Sequence, residues 1–574
     1  MELSILEFGY KSLQNVVHIK TIAIITILQN VCCIIFGIFY LVLPIYISAW
    51  DAFGIILPIT LFVNLFHIYL SSKQAKKSSR GNSRFYTYCS ILLIYYMISI
   101  FNIMGGNLLL SVAIVNDGVI IGLGYFLIHF FYFSLLILNV VLGMINLNLF
   151  KSGTLYFLDD TNQKSYSSKF QLFRRLSKKP LNIISSVIFL LSIVFAIVIV
   201  FGSFEVITTF IAIIAGQFGI FFSLIFLANL LLKLNLKRNS WSASKRKKRA
   251  FIGLLISGIL MLPLVFKNFS IFGGEQTFVE IFGADWRDNI PANVENYFLA
   301  TPYTTPGYIL GNKPKDCLTE LNIKYYEDGD FSLYFDVYMP LSNGINLPGE
   351  NSTLIRIHGG AWVSGDKGTF NNVQVNRYFA AQGYIVFDIQ YGLHSLFSSG
   401  TAENYNIDDM VNHIAIFTSF LANNSKKYGA NLNSVFISGG SSGGHLSSVV
   451  ALASANGEYP EIFSNNLTIK GFIPLYPANG MVNFFGIDGN ESFIHPEQLI
   501  RPNSPPCLIY QGTHDILNYF NIANNFLKAY QLMGNYNCSI LWFPLAGHGS
   551  DFYFSGYYNQ IFLYYMERFM YFFH

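Results

Sequence analysis

Four stretches in the second half of the chain carry groups suited to acyl transfer, and they come in a fixed order. In "VFISGGSSGGHLSS", residues 435–448, six Gly and Ser residues follow a short apolar run, and Gly439-Gly440-Ser441-Ser442-Gly443 fits G-x-S-x-G. Such a turn reverses a strand into a helix so sharply that the neighbours of the Ser must lack bulk, and it presents the hydroxyl of Ser441 at the sheet's carboxyl edge. Upstream stands "HGGAW", His358 to Trp362, directly after "TLIRI". Backbone N–H groups of Gly359 and Gly360, with that of Ser442, could point at a developing oxyanion, where one donor is worth about 3 kcal/mol. Downstream, Asp515 follows the apolar run "CLIYQG", and His548 lies in the glycine-flanked "LAGHGSDF" after "SILWFP". The order Ser, Asp, His suits a nucleophile (Ser441), a general base (His548) and an acid that orients the imidazole (Asp515).

The elements that would hold these residues are legible from about residue 320. "IKYYED" and "SLYFDVYM" read as a strand hairpin, followed by strands at "TLIRI", "YIVFDIQY", "SVFIS", "KGFIPLY", "CLIYQG" and "SILWF". Helical stretches fall at 407–428, from about 442, near 519–533 and near 555–573. A hairpin followed by βα alternation predicts a mostly parallel sheet with helices on both faces.

Other residues have plainer expected roles. His445 should pack or cap on the helix after the elbow, and His514, beside Asp515, points the wrong way for a base. Asp551 is a weaker rival for the acid, with no preceding strand to hold it. Trp362 lines the pocket or packs beneath the oxyanion loop. The aromatic C-terminal stretch should be a helix packed on the sheet, and residues 282–312 form a partial cap or a connector.

The first half is of another kind. The chain has 574 residues, 52 % hydrophobic and only 12 % charged, with a net charge of +4. That charge hides a split: residues 1–266 hold 22 Lys+Arg against 7 Asp+Glu, and residues 267–574 hold 14 against 25. Apolar runs of spanning length lie near 21–43, 52–70, 86–104, 119–148, 181–202, 206–232 and 250–266, which predicts about seven membrane spans. Basic residues concentrate in three intervening loops, near 71–84, 151–179 and 233–249, and cationic loops stay in the cytoplasm. The expected topology has a cytoplasmic N-terminus and an extracytoplasmic second half, where the sequons at Asn268, Asn351, Asn423, Asn466, Asn490 and Asn537 all lie. The basic residues sit between apolar runs and not on a soluble face, which argues against a nucleic-acid partner. His67, Asp117 and His129 are the ionisable residues at membrane depth, read as bundle packing or interface positions. The six cysteines show no metal-ligand spacing and read as buried free thiols, a disulfide among Cys317, Cys507 and Cys538 being the alternative.

Residues 320–574 resemble α/β-hydrolases of the hormone-sensitive-lipase-like carboxylesterase group. Within that group "HGGAW" and "GGSSGGHLS" look more like the feruloyl-esterase, kynurenine-formamidase and isoprenylcysteine-methylesterase branches. The resemblance implies hydrolysis of small acyl esters or amides with no cofactor and no metal. Two departures stand out: the group's usual HGGG reads "HGGA" here, and its Tyr-Arg-Leu-Ala-Pro-Glu stretch reads "QYGLHSLFSSGTAENYN". The expected organisation is a transmembrane helical region (1–266), a connector and possible partial cap (267–319) and an α/β-hydrolase catalytic domain (320–574). The expected function is a membrane-anchored serine hydrolase acting on small or lipid-derived acyl esters, among membrane lipids. An amidase or formamidase with the same triad, or a receptor or transport module that uses the fold only to bind, are the alternatives. The oligomeric state is open.

Overall fold

The computed structural model describes residues 21–40, 47–78, 83–111, 130, 133–144, 168–237, 240–312, 315–369, 372–395, 404–463 and 466–574. Asp117, His129 and the side chain of Cys89 lie outside them, as does most of the apolar run at 119–148.

Among the described residues the first half has seven helices: α1 (Thr21–Tyr40), α2 (Ile47–Ser78), α3 (Ser83–Ser111), α4 (Phe133–Met144), α5 (Ser168–Phe201), α6 (Val206–Leu236) and α7 (Ala243–Phe282). Among the described residues, five helices are long and apolar enough to cross a membrane: α1, α2, α5, α6 and α7. The apolar stretches Ser90–Gly106 and Phe133–Met144 are shorter. Side chains such as Leu28, Leu190 and Phe251 are more than 60 % exposed, an apolar outer surface consistent with membrane association.

Apolar burial cannot hold helices together in a bilayer, so close approach and polar contacts must. Asn64 Oδ1 accepts from Asn30 at 2.8 Å and from Asn139 at 2.7 Å, joining α1, α2 and α4. Ser223 Oγ donates to the carbonyl of Ser257 at 3.1 Å between α6 and α7. A Cβ on Gly219 would fall 2.1 Å from the carbonyl oxygen of Leu260, so α6 and α7 cross almost backbone to backbone. His67 is 3 % exposed, inside the bundle.

Helix α7 does not end where the apolar run does. It continues as one helix past residue 266 to Phe282, carrying Pro263 in its interior, and its outer part packs on the second half. Two short helices follow, α8 (Ala292–Glu295) and α9 (Thr305–Leu310).

The second half is built on one eight-stranded sheet. Its strands are β1 (Leu318–Asp328), β2 (Phe331–Met339), β3 (Ser352–Ile357), β4 (Ile385–Ile389), β5 (Asn431–Gly440), β6 (Ile469–Leu475), β7 (Cys507–Gly512) and β8 (Cys538–Phe543). The spatial order is β1-β2-β4-β3-β5-β6-β7-β8, with β2 antiparallel to both its neighbours, β1 and β4, and every other pairing parallel. Strands β3, β4 and β7 are buried along their whole length, as continuous apolar runs in a doubly covered sheet require.

The helices of this half are α10 (Asn372–Ala381), α11 (Ile407–Tyr428), α12 (Ser442–Asn456), α13 (Glu491–Ile494), α14 (Phe520–Leu532) and α15 (Tyr557–Phe573). In α11 the local signals agree from end to end. Asn406 and Asp409 form a reciprocal cap, Asp408 and Asp409 occupy the first turn, Lys426 and Lys427 the last, and Gly429 closes it at φ 67°. The aromatic α15 is buried from Tyr557 to Met570 against β6, β7 and α7. Its Glu567 and Arg568 are wholly buried. Glu567 accepts from Tyr378, Gln382, Arg568 and the N–H of Leu299, and burial pushes its carboxyl up.

The described cysteines Cys32, Cys33, Cys317, Cys507 and Cys538 are in no disulfide, with Cys507 and Cys538 paired in register across β7 and β8. Residues 283–312 run between the bundle and α15: Thr304 N–H donates to Gln560 and Asn312 N–H to Ser555.

Candidate active site

The centre of the sheet ends in a sharp reversal. Strand β5 stops at Gly440, α12 begins at Ser442, and Ser441 between them has φ 59° and ψ −121°. That conformation is costly for a residue with a Cβ, and it recurs where a fold holds a side chain out for use. The glycines around it answer to space. A Cβ on Gly439 would fall 2.4 Å from the carbonyl oxygen of Gly443 and 2.6 Å from that of Ile357, and one on Gly443 would fall 2.2 Å from the same Ile357 oxygen. The turn is therefore locked between its own helix and the end of β3, and its six small residues serve that packing.

Ser441 Oγ lies 3.1 Å from His548 Nε2, and His548 Nδ1 lies 2.9 Å from Asp515 Oδ2. Asp515 sits just past β7, its other oxygen accepting from the N–H groups of Leu517 at 3.0 Å and Asn518 at 2.9 Å. With both carboxylate oxygens bonded, one edge is left to receive the imidazole. His548 follows β8 in a loop with left-handed turns at Leu545 and Gly549, and its ring packs on Tyr476 at 4.5 Å between centroids. The three side chains come from the ends of β5, β7 and β8, parallel strands that deliver their carboxyl ends to one edge.

The loop after β3 lies against the elbow. A Cβ on Gly359 would meet the Gly440 carbonyl at 2.6 Å and the Cβ of Ser441 at 3.4 Å. The loop then turns through Gly360 (φ 132°), Ala361 (φ 56°) and Trp362 (φ 62°). Among the described residues, the N–H groups of Gly359 and Gly360 donate to no backbone carbonyl. Ser442 N–H heads α12, where a helix has no internal acceptor to offer. Ala361 therefore takes a left-handed conformation at the position where HGGG would supply glycine.

Neighbouring residues take quieter places. His358 is buried and stacked on Tyr391 at 4.4 Å, its Nδ1 2.9 Å from the Gly359 carbonyl, and desolvation lowers its pKa. It shapes the glycine loop from behind. His445 points its Nε2 at the Phe493 carbonyl, 2.7 Å away, and burial pulls its pKa down to about 4, so it stays neutral as a packed donor. Trp362 lies beneath the loop, edge-on to His445 and Phe485. His514 turns away from the site to the Val200 carbonyl on α5, 3.1 Å off. Asp551 accepts from Tyr476 at 2.7 Å, and Asp515 is the carboxylate on His548.

Two contributors give no signal of their own in the sequence. Arg356, buried inside β3, donates to Ser438 in β5 and to Asn372 at the start of α10, each at 3.0 Å. Tyr476, at φ 36° just past β6, supports the His548 ring and donates to Asp551.

Residues 335–492 match the BD-FAE family model. The second half is a carboxylesterase-like α/β-hydrolase domain. "Esterase LipC" of Mycobacterium tuberculosis is 25 % identical to the chain over 223 residues, covering 34 % of this chain and 53 % of that protein. A "probable isoprenylcysteine alpha-carbonyl methylesterase ICMEL1" of Arabidopsis thaliana is 23 % identical over 268 residues, 42 % of this chain and 49 % of that one. The chain thus spans about half the length of the curated relatives it matches. Among solved structures, Thermogutta terrifontis esterase 2 phosphorylated by paraoxon aligns at TM-score 0.33 and 21 % identity, over 41 % of this chain and 84 % of that one. An inhibited esterase B from Lactobacillus rhamnosis aligns at TM-score 0.35 and 22 % identity, over 42 % and 80 %. The family match spans the carboxylesterase-like domain from β2 past the elbow, while Asp515 and His548 lie beyond its end.

Proposed function

We propose that the chain is a membrane-anchored serine hydrolase that cleaves carboxylic esters through an acyl-enzyme, and the observation that carries the reading is the line Ser441 Oγ–His548 Nε2 at 3.1 Å and His548 Nδ1–Asp515 Oδ2 at 2.9 Å on a strained elbow. Ser441 Oγ attacks the acyl carbon as His548 takes its proton, and Asp515 stabilises the imidazolium that results. The negative oxygen of the tetrahedral intermediate is held by the N–H groups of Gly359, Gly360 and Ser442. His548 then gives the proton to the departing alcohol. Water, deprotonated by the same His548, attacks the Ser441 ester, and its collapse releases the acid and restores the hydroxyl. Names of the relatives favour an ester over an amide.

The anchor is residues 1–266, with about seven spans, a cytoplasmic N-terminus and the hydrolase domain (320–574) outside the cytoplasm. The charge distribution of the loops supports this topology. Residues 267–319 join the two. The esters include lipid-like ones. The first half of α6 has Thr209 and Ala212 turned inward and Ile207, Phe210 and Ile214 exposed on one outer stripe, and Ala212 lies beside Gly547. His548 is then about one helix diameter, ~10 Å, from the apolar phase.

A fluorophosphonate probe tests the reading on the full chain in detergent. Wild type should be labelled and Ser441→Ala should not; a folded wild type that takes no label overturns the proposal. Chromogenic esters of increasing acyl length, presented in vesicles, then define the chain preference.

A further inference from the structure

The catalytic loops do not rest on the sheet alone. Helix α6 breaks its regular geometry at Phe218 (φ −112°, ψ 16°). Around that break the bundle reaches into the hydrolase domain. The carbonyl of Gln217 accepts from the hydroxyl of Tyr308 at 2.6 Å, and that of Gly216 accepts from Tyr557. The side chain of Gln217, 1 % exposed, donates from Nε2 to the carbonyl of Ser550, two residues past His548.

Ahead of His548 the loop from Leu545 to Ser555 is tied to the end of β7, Leu545 N–H donating to Thr513 Oγ1 at 3.0 Å and the Ala546 carbonyl accepting from His514 N–H at 2.9 Å; past His548 it is held from both the sheet and the bundle. Ser550 Oγ bonds the hydroxyl of Tyr510 at 2.6 Å, and Asp551 bonds that of Tyr476 at 2.7 Å. Both contacts act on side chains. Past His548, Gln217 instead grips the backbone, at the residue where the chain leaves the His548 turn. The loop of Asp515 is tied to the same helical hairpin through His514 and the carbonyl of Val200. The Ser441 elbow, by contrast, is packed between β3, β6 and its own helix. The nucleophile is therefore supported from the sheet, while the base's loop is held from the sheet and from the bundle, so the distance between them responds to how the bundle docks.

We propose that Gln217, in the broken turn of membrane helix α6, positions His548 by holding the carbonyl of Ser550, so that the bundle completes the active centre. The inference rests on the hydrolase reading above. It assigns Gln217 a positioning role, acting through the loop on a base that must stay within hydrogen-bond reach of Ser441. A displacement of about 1 Å in such a pair can cost on the order of 100-fold in rate.

The test uses the full chain in detergent with a soluble short-chain ester and a fluorophosphonate probe. Gln217→Met keeps the length and apolar volume and removes the donor. Gln217→Leu is the second form, should Met fold poorly. Tyr565→Phe is the control. It removes a hydroxyl that bonds the Ile271 carbonyl at 2.8 Å and Glu275 at 2.9 Å, a docking contact of the same kind on α7, away from the catalytic loop. The expected result for the Gln217 variants is a 10- to 100-fold fall in kcat and in labelling rate, roughly, with KM within about twofold of wild type, while Tyr565→Phe stays within about twofold in both. Wild-type kcat in a folded Gln217 variant overturns the inference and leaves the hydrolase reading intact. An equal fall in Tyr565→Phe also overturns it, because docking in general would then be the cause. A wild type that neither labels nor hydrolyses fails one step earlier, at the hydrolase reading.

Discussion

Two buried polar networks lie in this molecule, with hydrogen bonds of similar length. In the bundle, Asn30, Asn64 and Asn139 meet at 2.7–2.8 Å, and at the sheet's carboxyl edge Ser441, His548 and Asp515 meet at 2.9–3.1 Å. The carboxamides neither ionise nor sit on a strained backbone, and they are 0–3 % exposed. They satisfy one another and stop there. At the edge, the serine stands at φ 59°, the histidine can change charge, and N–H groups nearby have no internal acceptor. A buried polar cluster that closes on itself glues helices; one left open toward a ligand can do chemistry.

The sharpest test of that contrast is Ser441→Ala, which should lower hydrolysis of a chromogenic ester by about 10⁶-fold and abolish probe labelling without changing the melting temperature by more than a degree or two. Asp515→Asn should follow, with kcat lower by about 10⁴-fold, because the amide oxygen stays with the N–H groups of Leu517 and Asn518 while its NH2 donates to Nδ1, which leaves the proton on Nε2, the wrong tautomer. Stopped assays at high enzyme concentration would measure both, and a drop below tenfold in either would break the comparison.

An intermediate case is Asp388, a buried carboxylate in β4 that takes no part in the proposed reaction. It accepts from Gly368 N–H and Asn376, yet burial dominates and raises its pKa to about 6. The folded state thus keeps a proton that the unfolded chain loses near pH 4. Stability falls as pH rises through that window, and the cost is complete above about 6. Asp388→Asn should therefore gain up to ~3 kcal/mol relative to wild type between pH 4 and pH 7, seen as a widening gap in melting temperature. Its kcat should not move. The smallest effect belongs to the bundle: Asn64→Leu should lower stability by about 1 kcal/mol and leave the labelling rate within about twofold. A large loss of activity there would mean that the closed network is not inert.

What could be read from the chain in advance follows the range of the interactions involved. Ser441, Asp515 and His548 each stand at the end of an apolar run that can only be a buried strand, so local pattern locates them. The left-handed turn at Ala361 is hidden because its residue type argues against it. Arg356 in "TLIRI" looks like an ordinary surface charge until β5 and α10 close around it. Gln217 is separated from Ser550 by 333 residues, and no spacing rule spans that distance. Residues 168–180 read as part of a basic loop, yet their backbone is already helical in α5, which runs on through Pro180, because Arg, Lys, Leu and Gln are good helix formers whatever their charge. The expected seven spans meet five helices of sufficient length among the described residues: the run at 119–148 lies mostly outside them, and the apolar stretch Ser90–Gly106 is shorter than a span.

Helix α7 carries a consequence beyond packing. At about 1.5 Å per residue its 40 residues are ~60 Å long, running unbroken from the basic end at Ala243 to where it packs on β8 and α15 of the second half. A flexible linker of 20 residues would let a domain wander over some 25 Å. This mast leaves no such sweep. For the membrane-anchored hydrolase proposed above, the site would keep a constant height and heading over the membrane plane, encounter would be a two-dimensional search performed by the substrate, and turnover should track the number of ester molecules per unit area of membrane, not their concentration in the surrounding water.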